Sequence, residues 1–228
     1  MNMPFMALDL RNPLSVQAET TGHNRDSYPS KTKITYEFGP TIRPGLKMFW
    51  YDGSVKPPRE LMDAFRHAAA VAAASDAKSA TADAKSDSKA ADEQGTQGRR
   101  QGRAAAIADS ACLVVGEKGM LYSPGDYAEN KIQLAGVEEI EGDFIESPGH
   151  FAEWARAIKG GEPATSNFPH YAVPLTETVL LGNLAIWAAN EPNTPGKKIE
   201  WNAKTLTATY APEVAPIINP ELHNGFTI

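Results

Sequence analysis

Residues 33–51 read KITYEFGPTIRPGLKMFWY, and their pattern sets the fold class. In the first run Ile34, Tyr36 and Phe38 alternate with Thr35 and Glu37, the period of a strand with one buried face. LKMFWY repeats the alternation with bulkier residues beyond a turn over residues 40–45, which predicts two strands paired as neighbours in a sheet. YDGSVKPP then stops the sheet, because Asp52-Gly53 is a turn dipeptide and Pro57-Pro58 permits neither ladder donors nor helix. Upstream, SVQAET sets Val16, Ala18 and Thr20 against Gln17 and Glu19, a further strand-like run after Pro13.

Downstream, CLVV and MLY flank GEKG, whose glycines accept positive φ at a tight turn, so a β-hairpin is expected. The period changes at ESPGHFAEWARAIKGGEP, where Phe151, Trp154, Ala155 and Ile158 fall at i, i+3, i+4 and i+7 of a helix. Ser147 is the expected N-cap with Pro148 at the first helical position, and Gly160-Gly161 closes the helix. PLTETVLLGNLAIWAA, from Pro174, is apolar around most of its circumference, as suits a helix pressed between layers. Gly182 in its middle costs about 1 kcal/mol against alanine, which predicts close approach of a neighbouring backbone. KKIEWN and LTATY add two short strands before a Pro-interrupted tail. This segregation of strands and helices argues for an α+β fold, an open, largely antiparallel sheet with helices packed on one face.

Residues 64–106 are built from Ala, Ser, Asp, Lys, Gln and Gly, a composition that cannot fill a core and predicts a disordered insertion. Residues 1–63 and 107–228 are then expected to form one domain, leaving roughly 180 folded residues of the 228. A net charge of −6 disfavours a nonspecific grip on nucleic acid, and the cluster Arg99, Arg100 and Arg103 reads as solvated linker. The single cysteine, Cys112, excludes an internal disulfide and a Cys-rich zinc site, and its place in CLVVG reads as core. MNMPFMALDL is apolar but too short to span a membrane, and it lacks the basic leader and cleavage site of a secretory signal. No membrane partner is expected.

A dinucleotide cradle needs a Gly-rich turn between a strand and a helix, and GEKG has the wrong spacing and leads into a strand. His23, His67, His150, His170 and His223 include no pair at the short helical spacing of a zinc site. His150 stands apart, in the first turn of the predicted helix, where N–H groups favour an anion or ordered polar ligand; a capping or buried hydrogen-bonded role is the alternative. Trp50, Tyr51 and Asp52 have the composition of a carbohydrate platform, or of a core Trp, an edge Tyr and a turn Asp. Glu177 and Asn183, six apart on the apolar helix, either tie helix to sheet or face a cavity.

Taken together, MPFMALDLRNPLSVQAE, ITYEF, MFWYDGSVKPP, CLVVGEKGMLYSPGDY, SPGHFAEWARAIKGGEP, SNFPHYAVPLTETVLLGNLAIWA and IEWNAKTL resemble the C-terminal domain of the Gfo/Idh/MocA oxidoreductases, in the bacterial branch with a distinct C-terminal region. They stand in the family's order and cover nearly everything outside 64–106. The resemblance implies an open sheet with helices on one face, walling a substrate pocket and supplying a homo-oligomer interface through the other face. It implies sugars or polyols as substrates, oxidised with NAD or NADP. In such enzymes a preceding Rossmann domain carries the Gly-rich turn and a catalytic lysine, and an Asp and His pair lies on the helix entering the second domain. MNMPFMALDL resembles the rest of that helix, with Asn2 where Asp is common. The expectation is therefore a truncated or split enzyme, with no catalytic residue of its own and no cofactor bound by this chain alone. Asn2, Trp50, Tyr51, Asp52 and His150 are its candidate substrate-pocket positions, for hydrogen bonding and sugar stacking. A noncatalytic interaction module assembling through the sheet face is the rival expectation. The compartment is cytoplasmic by default, or periplasmic for a full-length form with the export signal that relatives in this branch carry.

Overall fold

The alternation in residues 32–38 becomes β2 (Thr32–Phe38), with Thr32, Ile34, Tyr36 and Phe38 buried and the residues between them half-buried. It pairs antiparallel on one side with β1 (Pro13–Thr20) and on the other with β3 (Leu46–Asp52). β7 (Ile199–Asn202) adds to β1, and β8 (Thr207–Thr209) adds to β7, giving a five-stranded antiparallel sheet in the order β3-β2-β1-β7-β8. The computed structural model describes residues 1–24, 26–41, 43–70, 108–125, 132–137 and 146–222. Two compact units divide the chain: Met1–Lys56 with Asp143–Ile228, and Pro57–Gly142.

In the first unit, register puts Val16 opposite Tyr36 and Ile199, and Ala18 opposite Ile34, so one sheet face is continuous and apolar. Helix α1 (Asn2–Leu8) and helix α4 (Val173–Ala188) bury Phe5, Leu181, Leu184 and Ala185 in the same core, with Val214 just ahead of the short α5 (Ala215–Ile218). α1, α4 and α5 thus pack on one face. A π-helical turn, Phe168–Ala172, leads into α4, its Asn167 side chain accepting from the His170 N–H at 2.9 Å.

The opposite sheet face carries Lys33, Thr35, Glu37, Lys47, Phe49, Tyr51 and Glu200. Glu37 organises it, bonded to Lys198 at 2.6 Å, Lys47 at 3.0 Å and the Ser15 hydroxyl at 3.0 Å. Those three partners, Lys198 foremost, pull its pKa down to about 2. A carboxyl whose folded pKa lies below its unfolded value stabilises the fold above the ordinary pKa near 4.5, and that contribution fades as pH falls towards 2. Urea midpoints measured between pH 5 and pH 2 are therefore expected to fall more steeply in the wild-type chain than in Glu37→Gln, and the variant should be the weaker of the two at pH 7.

Helix α3 (His150–Ile158) begins two residues later than the sequence suggests, with Gly149 at φ 93° as its N-cap. Ser147 does not cap it, because its hydroxyl is engaged elsewhere: it accepts from the Gly149 N–H at 3.1 Å and donates to Glu153 at 2.6 Å. Glu153 also accepts from the Thr165 N–H at 3.0 Å, and these bonds, Ser147 first, lower its pKa to about 2. The C-terminus closes as expected: Gly160, at φ 81°, donates to Ala157 and Gly161 to Arg156, the paired bonds of a Schellman motif. The apolar stripe is turned outward, however, with Phe151 88 %, Trp154 63 % and Ile158 66 % exposed.

In the second unit, residues 59–70 are helical (α2) and a three-stranded sheet joins β4 (Ala111–Val115), β5 (Met120–Pro124) and β6 (Gln133–Ala135). The expected hairpin is present, its loop closed by the Gly116 N–H on the Gly119 carbonyl at 2.9 Å. It does not join the larger sheet, because its apolar residues find a core of their own: Met62 and Phe65 are buried with Tyr122 and Ala135, the two rings 5.5 Å apart. The first residues of the expected insertion, 64–70, are thus helical, and 71–106 lie outside the described residues. Cys112 is half-buried in β4, and burial pushes its thiol pKa up.

Candidate functional site

Helix α4 is apolar all round, so burying one stripe against the sheet leaves a second stripe to account for. Thr178, Leu181, Gly182 and Ala185 take the sheet side. Val173, Glu177, Leu180, Leu184 and Trp187, spaced at three and four, line one wall of an open cleft of about 810 Å³. Trp201 of β7 and Leu206 beyond it supply a second wall, with Ile217 and Ile218 of α5. His23, Asp26, Ser27 and Tyr28 come from the loop after β1, which is folded on the Asn24 side chain: its carbonyl oxygen accepts from the N–H groups of Asp26 and Ser27, both at 3.0 Å.

Two polar residues that break the apolar run of α4, Glu177 and Asn183, line this cleft. Glu177 Oε1 accepts from the Trp201 indole N–H at 2.6 Å, so Glu177 ties helix to sheet and also lines the cavity, while Asn183 lines it alongside. Of the lining, the sequence marks the polar pair on α4 but not Trp187, Trp201 or Tyr28. The available signal was the stripe 177, 180, 184 and 187, an apolar ridge broken by one carboxylate.

The five residues singled out from sequence are dispersed. Asn2 opens α1, where its side-chain oxygen accepts from the Tyr171 hydroxyl. Tyr171 is buried edge-on to Phe5, ring centres 5.7 Å apart, and burial raises its hydroxyl pKa. Arg11 backs this cluster: it pairs with Asp9, lies 5.3 Å from the Phe5 ring centre and donates to the His170 carbonyl at 2.9 Å. Trp50 sits opposite Ile34 on the helix-covered face of the edge strand, 39 % exposed, and the next residue necessarily points the other way. Tyr51 accordingly lies on the open face beside Phe49, 6.5 Å between centres. Asp52 is exposed and accepts from the Gly53 N–H at 2.8 Å, a turn role. His150 is exposed at the start of α3. None of the five is among the residues lining the α4 cleft.

Among the described residues no group of three or more His, Cys, Asp or Glu is placed to hold a metal ion, and no helix is long and apolar enough to cross a membrane. No protein-family model matches the chain, and no curated protein matches it.

Proposed function

We propose that this chain is the substrate-side and assembly domain of a Gfo/Idh/MocA-type oxidoreductase acting on sugars or polyols, with NAD or NADP held by a separate nucleotide-binding unit. The observation that carries the reading is the layering of the first unit: an antiparallel sheet with α1, α4 and α5 packed on one face, entered through α1 directly into its central strand β1. That layering leaves a helix-side wall for a substrate and an open face for a second copy, the arrangement the sequence resemblance implies. Hydride transfer needs a positioned cofactor and a proton acceptor, which this reading assigns to the partner unit. Asn2, oriented by Tyr171, is the proposed polar contact for a sugar hydroxyl, and Tyr51 lies on the assembly face.

A noncatalytic interaction module is the second reading, favoured by α3. Phe151, Trp154 and Ile158 form an apolar stripe with Phe151 88 % exposed, the kind of surface that a protein partner covers. Titration calorimetry with NAD, NADP and a panel of polyols, together with light scattering on the purified chain, separates the two. The oxidoreductase-domain reading expects an oligomer, polyol binding weakened in Asn2→Ala, and no polyol oxidation with added dinucleotide. Turnover by the chain alone overturns it, and an oligomer without polyol binding supports the interaction module instead.

A further inference from the structure

The α4 cleft is a second site, chemically unlike a polyol pocket. Its lining is rich in aliphatic and aromatic carbon, with rings from Tyr28, Phe168, Trp187 and Trp201. A polyol buried there would leave most hydroxyls without partners, each at a cost of one or more kcal/mol, on the order of 1–3. Asp26 and Glu177 contribute carboxyl groups and His23 an imidazole, and none of the lining residues described is lysine or arginine. Arg25, beside Asp26 in sequence, lies outside the described residues, and Glu177 is the carboxylate that defines the site.

Glu177 is preorganised. One oxygen is fixed by the Trp201 indole at 2.6 Å, and among the described residues the other has no protein partner. A carboxylate held by an indole, with a second indole on the same wall, provides the two attractions that select a weakly hydrated organic cation: a Coulomb partner and negative ring faces. We infer that the cleft binds an organic cation, an amine or quaternary ammonium on an apolar body, with the charged head at Glu177 and the body along Leu180, Leu184 and Trp187. At about 810 Å³ the cleft falls in the size range of small-molecule pockets.

The test uses phenyltrimethylammonium and its uncharged isostere tert-butylbenzene, titrated into the full 228-residue chain and followed by tryptophan emission and by ligand-observed NMR. The cation is expected to bind at least about tenfold more tightly than the isostere, with an advantage that shrinks as salt is raised. Glu177→Gln keeps an acceptor for the Trp201 indole and should reduce the cation to the affinity of the isostere. Trp187→Leu should weaken the cation, while Trp154→Phe on α3 leaves binding unchanged. Equal binding of the two probes, an undiminished cation affinity in Glu177→Gln, or binding of neither probe overturns the inference. The comparison of probes on the wild-type chain needs no variant, and none of these outcomes depends on dinucleotide or polyol binding.

Discussion

Arg43→Ala is expected to lower the unfolding free energy of the first unit by about 2–4 kcal/mol, read from urea denaturation at neutral pH. Helix α1 ends at Asp9, which adopts φ 47°, so the carbonyls of its last turn need partners beyond the helix. The Arg43 guanidinium, from the β2–β3 turn, reaches back across 35 residues to the Leu8 carbonyl and also donates to Asp9 at 3.4 Å. The same fork takes the carbonyls of Gly39 at 3.1 Å and Pro44 at 2.8 Å, and it lies 5.8 Å from the Phe38 ring centre. One half-buried side chain therefore terminates a helix, shapes a hairpin turn and covers a core aromatic. Lysine is a point charge that cannot fork to four acceptors, so Arg43→Lys should recover only a minor part of the loss. Lys197→Ala, which removes an exposed pair with Glu213 at 2.8 Å in the same unit, should cost no more than about 1 kcal/mol and serves as the contrast. A loss in Arg43→Ala no larger than that in Lys197→Ala would mean that water satisfies the end of α1 as well as the guanidinium does.

The role of Arg43 also shows where a sequence stops being legible. Ile34, Tyr36 and Phe38 declare a strand within six residues because the period is local, and Gly160-Gly161 declares a helix end for the same reason. Arg43 declares nothing, since its acceptors on α1 lie 34 and 35 residues away. The hairpin around GEKG was readable, but its membership of a separate sheet depends on Met62, just ahead of the low-complexity tract, and on Phe65, within the tract's first residues. The stripe of Phe151, Trp154 and Ile158 was correctly periodic, yet periodicity reports only that a surface is apolar and not what covers it. The α4 cleft follows the same rule. Glu177 and Asn183 were conspicuous as polar breaks in an apolar helix, whereas Trp201 joins them only because β7 returns to the sheet 24 residues later. Trp50 and Tyr51, adjacent in sequence, suggest either one platform or a core Trp beside an edge Tyr, and the alternation that identifies their strand sends them to opposite faces.

Gly182→Ala is expected to destabilise the first unit by about 1–2 kcal/mol even though alanine is the better helix former by about 1 kcal/mol. The close approach inferred from sequence is real, but the neighbour is a side chain rather than a backbone. A Cβ at Gly182 would lie 2.2 Å from the Tyr36 hydroxyl oxygen and 3.2 Å from Ile34 Cδ1. Tyr36 has little room to yield: it is 1 % exposed and its ring is stacked on Phe38 with centres 6.2 Å apart. Removing the hydroxyl should remove most of the conflict, since the next Tyr36 atom is 3.4 Å from the added carbon. In a Tyr36→Phe background Gly182→Ala should therefore become neutral or stabilising, a coupling of about 1–3 kcal/mol between the two positions. The alternative is that α4 rides outward as a body to make room, and the cleft would report it. Glu177 and Trp187 stand on the same helix, one bonded to the Trp201 indole on β7, so an outward shift would stretch that bond and expose both indoles to water. A jammed Tyr36 predicts strong coupling with unchanged tryptophan emission, whereas a displaced α4 predicts weak coupling with red-shifted emission. The single substitution thus tests whether the core that fixes α4 also fixes the cleft.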